Sequence, residues 1–479
     1  MATQRMVEMP RGGRKPLGAF RLKDGSTLED LIDYEHREVA LRVLADPEIF
    51  DIEMDRIFAR VWQVVAHESE VPNRGDFVTR YLGRDSVIVT RDRAGAIKVV
   101  LNACAHRGMR VCRTDAGNSQ QHVCPYHGWT FDHSGRFLGA PLAAEQMHGN
   151  TRDKSELGLK AARVEIFCGM VFATLDDDAP TLEEHLGHAA WYWKLMFDVA
   201  DGGLEVIGAP QRFTIKTNWK CPGEQHAGDG YHVLTLHRSL LTLFRKGDSE
   251  GADLATGLNV NWNGHGLRCV DLQRGIEAST DSSTDTAIDR LRKRPPGGLS
   301  PAQIEKLPDM LTPEQLHVLA FHPPQVGGAF PHAGTFTTPA PLPNGTMSWK
   351  TAWHAFVPRA PGEIEFFNWH LVPKNATDEV REQMARASVM AFGISGFIET
   401  DDADTWPTMY ESALGHFGAK GKLRYGALLG EKKPADWPGP GHVHAGVSKD
   451  DNQWNWWLRW AEFMSGDPYG DQIHDKWAK

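Results

Sequence analysis

Two pairs of residues in the first third of the chain could hold a metal: Cys104 and His106, two apart, then Cys124 and His127, three apart, with seventeen residues between the pairs. Two thiolates and two imidazoles brought together on facing loops can bind a 2Fe-2S cluster asymmetrically, the thiolates on one iron and the imidazoles on the other. Neutral imidazoles in place of anionic thiolates lower the cluster's net charge and raise its reduction potential, which suits one-electron relay rather than strong reduction. A structural zinc ion accepts the same four donors. Zinc fingers, however, usually order them Cys, Cys, His, His, whereas each pair here is one Cys and one His. Cys112, Cys168, Cys221 and Cys269 have no such pairing and read as buried thiols.

A second constellation follows. Asn218-Trp219-Lys220 leads into Glu224-Gln225-His226-Ala227-Gly228-Asp229-Gly230-Tyr231-His232, and then His237. Two His five residues apart do not share a face of a regular α-helix, so a distorted or widened turn would have to bring them together. Far downstream, Gly393 to Asp402 supplies Glu399, Asp401 and Asp402 at the end of a predicted helix. Two imidazoles and one carboxylate form the facial triad of non-heme Fe(II) oxygenases, with positions left open for dioxygen. Since the chain has 22 His, spacing alone does not single these out. The partnership does: a cluster supplies single electrons, and an iron that activates dioxygen needs them.

The elements that must position these residues are of two kinds. Phe77 to Leu82, Ser86 to Thr90 and Ile97 to Leu101 alternate as strands, the last leading into the first loop, and Trp129 to Phe131 leaves the second loop and turns back at Asp132 to Gly135. Two hairpin loops would thus clasp one cluster from opposite sides. Thr27 to Leu44 reads as a helix ahead of this unit. After Asp176, helical stretches at Leu182 to Asp198 and Thr377 to Ile394 alternate with β-like runs at Met347 to Val357 and Ile364 to Val372, joined by a turn at Arg359 to Gly362. Thr377, followed by Asp378 and Glu379, is a sound helix start. Ser279 to Pro301 reads as an exposed excursion. The fold class is α+β: a small all-β domain, then a catalytic domain with an antiparallel sheet covered by helices. The division is residues 1–56 as an N-terminal arm and helix, 57–175 as the cluster domain and 176–479 as the catalytic domain.

At 479 residues the chain is long enough for roughly two or three domains. A net charge of -10 with no sustained basic run offers nucleic acid no footprint. The longest apolar stretch, Val164 to Leu175, is interrupted by Glu165 and falls short of the ~18 residues of a membrane span. Met1 to Phe20 holds Arg5, Arg11, Arg14 and Lys15 without an apolar core, unlike a secretory signal, and reads as a flexible arm. Six cysteines, two of them assigned to iron, fit a reducing cytoplasm.

Asn102-Ala103-Cys104-Ala105-His106-Arg107-Gly108 and Cys124-Pro125-Tyr126-His127-Gly128-Trp129 resemble the two cluster loops of Rieske proteins almost residue by residue. From about Asp51 to near its end, the sequence resembles the large (alpha) subunits of Rieske non-heme iron aromatic-ring-hydroxylating dioxygenases. The resemblance implies that Cys104, His106, Cys124 and His127 bind the cluster and that His232, His237 and Asp402 bind Fe(II), Asp402 being preferred to Asp401 by its place in the motif. It implies an electron-transfer bridge at Asp229 and a substrate pocket containing His226, Gly230, Val233, Phe392 and Ile398, with His226 hinting at a more polar arene. Gln225 departs from the family's usual Asn, which leaves its role open. Electrons would come from NAD(P)H through a separate reductase and ferredoxin, and both atoms of dioxygen would enter an arene as a cis-dihydrodiol. The Trp-rich segment Gln453 to Met464 resembles the terminal helix of alpha subunits that assemble as trimers with a small beta subunit. A monooxygenase or N- or O-demethylase would use the same ligands. A Rieske electron carrier would need only the β-domain, and the roughly 300 residues beyond it argue against one.

Overall fold

Strands rich in apolar residues build the first sheets in the computed structural model, which describes residues 17–142, 153–239, 257–271, 285–342, 344, 347–393, 395–426, 434, 436–447 and 449–466. Asp76–Leu82, Asp85–Arg91 and Ile97–Leu101 form an antiparallel meander, with Ala116–Asn118 added beside the first strand. Val78, Val87, Val89 and Val99 pack against Val65, Val171 and Ala173 of a second sheet, made of Gln63–His67, Met170–Thr174 and Arg163–Phe167. A third sheet, His122–Val123, Thr130–Phe131 and Phe137–Gly139, carries the second loop. Its hairpin closes where Asp132 Oδ1 accepts from the backbone N–H of Ser134 and Arg136.

The larger sheet has nine antiparallel strands. Eight run in the order Leu204–Val206, Glu363–Pro373, Met347–Ala360, Ala333–Pro341, Pro324–Ala329, His265–Cys269, Leu258–Trp262 and His442–Ala445, and Gln211–Ile215 also pairs with Glu363–Pro373. The two expected β-runs are neighbours here, with Trp353 opposite Trp369. Helix Asp378–Phe392 starts at Thr377, whose hydroxyl accepts from the Val380 N–H, and packs on Met347–Ala360.

Three expectations change. Thr27 to Leu44 is no single helix but a turn of helix at Leu28–Leu31, a hairpin of Ile32–Asp33 with Glu38–Ala40, and a 3-10 turn at Leu41–Leu44. Asp33 ties back to His36 by its backbone N–H and ring, Arg37 takes φ 56°, and Glu38–Ala40 pairs with Lys422–Arg424, a distant partner that overrides local helix preference. Leu182 to Asp198 breaks into Leu182–Leu186 and Ala189–Phe197. At the break, Gly187 sits at φ 48° against the Trp262 indole. Ser279 to Pro301 is not simply exposed. Ala287–Lys293 is a helix that buries Arg290 and Leu291, while residues 279–284, like residues 1–16 of the arm, lie outside the described residues. The Trp-rich helix Asp451–Ser465 is buried against Lys220–His226 and the strands Leu258–Trp262 and His265–Cys269. No described helix is long and apolar enough to cross a membrane.

Candidate active site

The two β-domain loops repeat one hydrogen-bond pattern. Cys104 N–H donates to Met109 O at 2.9 Å and Gly108 N–H to Cys104 O at 2.8 Å; Cys124 N–H donates to Trp129 O at 2.8 Å and Gly128 N–H to Cys124 O at 3.0 Å. Each loop turns on a glycine at positive φ, 73° at Gly108 and 69° at Gly128, where a Cβ is disfavoured. Asn102 pins the exit of the first loop, its Oδ1 accepting from the Val111 and Cys112 N–H groups. The sulfurs of Cys104 and Cys124 are buried while His106 and His127 sit nearer the surface, their ring centroids 4.6 Å apart, and Trp129 stacks on His106. Burial pushes the Cys104 thiol above its ordinary pKa; the His106 and Arg107 N–H groups oppose this, and the adjacent Cys124 side chain adds to it. Two thiols inside and two imidazoles at the rim fit a binuclear cluster with sulfur on the inner iron and nitrogen on the outer.

His232, His237 and Asp402 converge, each offering a ligand atom within 4.8 Å of the others. Asp402 divides its oxygens between the imidazoles: Oδ1 lies 3.9 Å from His232 Nε2 and Oδ2 3.4 Å from His237 Nε2. On the far side of each ring stands another carboxylate. Asp229 Oδ2 is 3.1 Å from His232 Nδ1, and Asp401 Oδ2 is 3.1 Å from His237 Nδ1. Both rings are thus held with Nδ1 toward an acid and Nε2 toward the common point, as metal-binding histidines generally are. The five-residue separation is bridged by a 3-10 turn, His232–Leu234, rather than a widened one. The acids lie in the first turn of a new helix, Glu399–Leu414, not at the end of the preceding one.

Electrostatics agree with this geometry. Burial works to raise the Asp402 carboxyl, yet the hydrogen bond from His237, the charges of His232 and His237 and the Gln225 amide hold it below its ordinary range. Burial likewise lowers His237, but Asp402 and Asp401 outweigh it and the net direction is up. Gln225, whose role the motif left open, donates from Nε2 to Asp402 Oδ1 at 2.8 Å and accepts from Trp406 Nε1 at 2.7 Å. Asp401 and Gln225 are the supporting residues that motif matching passed over. Adjacent acids and a polar residue seven before a candidate ligand were the available signals.

A cavity of about 280 Å³ opens on these donors, lined among others by His226, Val233, Phe336, Phe392, Phe397, Ile398, Arg268 and Lys350. The structure brings His226, Val233, Phe392 and Ile398 together on this wall. Gly230 does not line it: a Cβ there would meet the Val447 carbonyl at 2.2 Å, so its place is set by close backbone approach. His226 Nδ1 donates to the Pro222 carbonyl at 2.8 Å, and burial pushes its pKa down to about 4, so the ring is neutral at pH 7.

A β-unit fit for an iron–sulfur cluster, joined to an α+β unit with three iron-ready donors beside a cavity, is the make-up of an oxygenase that works on single electrons. Comparison with known proteins agrees. Residues 61–156 match the Rieske 2Fe-2S domain family, and residues 182–424 match the ring-hydroxylating alpha subunit (catalytic domain). The chain is 33% identical over 463 residues to the alpha subunit of an N,N-dimethyl phenylurea N-demethylase from Sphingobium sp., covering 93% of this chain and 96% of that one. It is 30% identical to the benzene 1,2-dioxygenase alpha subunit of Pseudomonas putida, covering 92% and 94%. The crystal structure of naphthalene 1,2-dioxygenase from Rhodococcus sp. bound to indole superimposes with a TM-score of 0.80 at 33% identity, covering 89% of this chain and 94% of that one. The chain belongs to the ring-hydroxylating alpha-subunit family of Rieske non-heme iron oxygenases, whose members hold a 2Fe-2S cluster and a mononuclear iron.

Proposed function

We propose that this chain is the terminal oxygenase subunit that cis-dihydroxylates an aromatic substrate with dioxygen, using electrons drawn from NAD(P)H through a separate reductase and ferredoxin. The cavity carries this reading, because its wall contains His232, His237 and Asp402 together with Phe336, Phe392, Phe397 and Ile398, so a ring held by apolar contact lies beside the iron-ready donors. When bound, the two metal groups supply single electrons and a place for dioxygen to be activated. Cys104, His106, Cys124 and His127 hold the cluster, and His232, His237 and Asp402 hold the iron. Asp401, hydrogen-bonded to His237 Nδ1, and Asp229, 3.1 Å from His232 Nδ1, stand behind the two rings and so favour the opposite nitrogen facing the metal. Gln225 restrains the Asp402 carboxylate. His226, Val233, Phe392 and Ile398 receive the substrate. Residues 57–175 form the cluster domain and 176–479 the catalytic domain, with 1–56 as an N-terminal extension. The enzyme works in the cytoplasm as a head-to-tail trimer of alpha chains with a small beta subunit. Exposed apolar side chains beside both centres support such packing: Val123 and Tyr126 next to the second cluster loop, Tyr231 and Leu234 next to Asp229 and His232.

A second reading, N-demethylation, is favoured by the phenylurea demethylase subunit at 33% identity. Incubating the purified oxygenase with a panel of arenes and N-methylated anilides, isotopically labelled dioxygen and a compatible electron donor separates the two. A cis-diol carrying two labelled atoms supports dihydroxylation. Release of formaldehyde with no diol overturns it in favour of demethylation.

A further inference from the structure

Lys350 lies on strand Met347–Ala360, opposite Thr338 of the neighbouring strand, and both line the cavity. The lysine is only 3% exposed. It makes no hydrogen bond or ion pair with any described residue; its ammonium stands 4.1 Å from the centre of the Phe392 ring. The Thr338 hydroxyl beside it is also buried without a hydrogen-bond partner. Arg268, the other cation of the cavity wall, is attracted by the charges of two acids, Asp229 and Asp402. Lys350 lies within ion-pairing distance of no carboxylate among the described residues. Glu399 attracts it through charge but does not come within ion-pairing distance, and burial holds the Lys350 amine down at about 7. A buried ammonium without an anion is costly, and this one borders open space that a ligand can fill.

The rest of the wall shows what lies between this amine and the iron donors. Phe392 packs on Phe336 with centroids 4.5 Å apart, and Phe336 on His226 at 5.3 Å, His226 being within electrostatic reach of Asp402 and His232. The cavity wall therefore brings together aromatic rings, the iron-ready donors and an amine without an ion pair. A purely hydrocarbon substrate would cover the rings but leave the amine uncompensated, and a neutral acceptor would satisfy a hydrogen bond without the charge.

We infer that the substrate is an arene bearing a carboxylate, which forms an ion pair with Lys350 while the ring lies along Phe336 and Phe392. This rests on the oxygenase reading of the same cavity and names its substrate class. The ion pair also sets which edge of the ring reaches the iron donors, so Lys350 is a specificity-determining residue.

The test compares equilibrium binding and turnover of benzoate and naphthoate with toluene and methylnaphthalene, in which a methyl group replaces the carboxylate, on the holoenzyme. The wild-type protein should bind at least one acid about tenfold or more tightly than its methyl counterpart. Lys350→Met should lose that preference, and Lys350→Arg should retain it. Iron content and the Rieske spectrum check that each variant is folded. A wild-type preference for the methylarenes, or an acid preference that survives in Lys350→Met, overturns the assignment. If methylarenes are oxygenated without acid preference, this inference alone fails; if no arene of either kind is bound or oxygenated, the oxygenase reading fails with it.

Discussion

Asp401 and Asp402 are neighbours in the chain with different work, because one helical step turns their side chains toward opposite nitrogens of His237. Asp402→Ala should remove a metal donor, dropping iron to the two cluster atoms and abolishing turnover while the Rieske spectrum persists. Asp401→Ala should keep the site but weaken iron affinity by about 10–100-fold, as loss of a partner behind a ligating histidine generally does. Metal analysis at graded iron concentrations distinguishes them, and equal iron loss in both variants would show that the two acids are not divided in this way. Lys350 permits a second prediction, on stability. Its pKa falls from 10.5 to about 7 on folding, so between those values the unfolded chain binds more protons and stability rises with pH, whereas below about 7 the full cost of burying the charge is present. Lys350→Met should therefore stabilise the ligand-free protein by ~1–3 kcal/mol at neutral pH, the gain shrinking as pH approaches 10.5. Thermal melts across that range check it; a lower melting temperature at pH 7 would contradict it.

Three helices meet on one buried carboxylate. Glu53, at the end of Pro47–Glu53, accepts from Lys220 Nζ at 2.7 Å and from the indole N–H groups of Trp219 and Trp460, each at 2.8 Å. Lys220 opens the helix that carries Gln225 and His226, and Trp460 belongs to the terminal helix. Glu53→Gln should strand the Lys220 charge, fully buried, at a cost of about 3–5 kcal/mol. Adding Lys220→Met should recover most of it, and iron retention should follow stability in both. A double-mutant cycle in denaturant measures this, and additive losses would mean that the pair does not act as a unit. None of this was legible in the sequence, where Glu53 is one acid among many and its partners lie 167 and 407 residues away. Strands rich in β-branched residues, such as Ile97–Leu101, and a helix opened by Thr377 could be read because their signals are local. The hairpin within residues 28–44 could not, since its pairing with Lys422–Arg424 is distant. The metal ligands stood out by motif. Lys350 did not, because a lysine in a β-run ordinarily reads as solvent-facing and only the assembled sheet turns it into a cavity.

At the scale of the whole molecule the cluster loops hang from the small β-sheets while the iron donors stand on a 3-10 turn and a helix of the other unit, and the proposed trimer is what sets a cluster beside an iron. Asp229 is the residue on which that proposal turns. One oxygen faces His232 Nδ1, and the charge and hydrogen bonding of His232, with Arg268, hold its carboxyl below the ordinary range against the opposing effect of burial. It stays an anion, and in the proposed trimer it would accept a second hydrogen bond from His127 of the neighbouring chain, one carboxylate then orienting both metal-binding rings. Tyr231 beside it is 62% exposed, as expected of a surface awaiting a neighbour. Asp229→Asn removes the charge and one acceptor with little change in shape. It should leave cluster and iron in place and the trimer assembled, while nearly eliminating electron passage: a reduced cluster mixed with substrate and dioxygen should stay reduced, and product should fall by two orders of magnitude or more, on the order of 3 kcal/mol in the barrier. Stopped-flow absorbance of the cluster, with light scattering for assembly, reads both quantities. Reoxidation at near wild-type rate in the intact trimer would show that electrons reach the iron without Asp229.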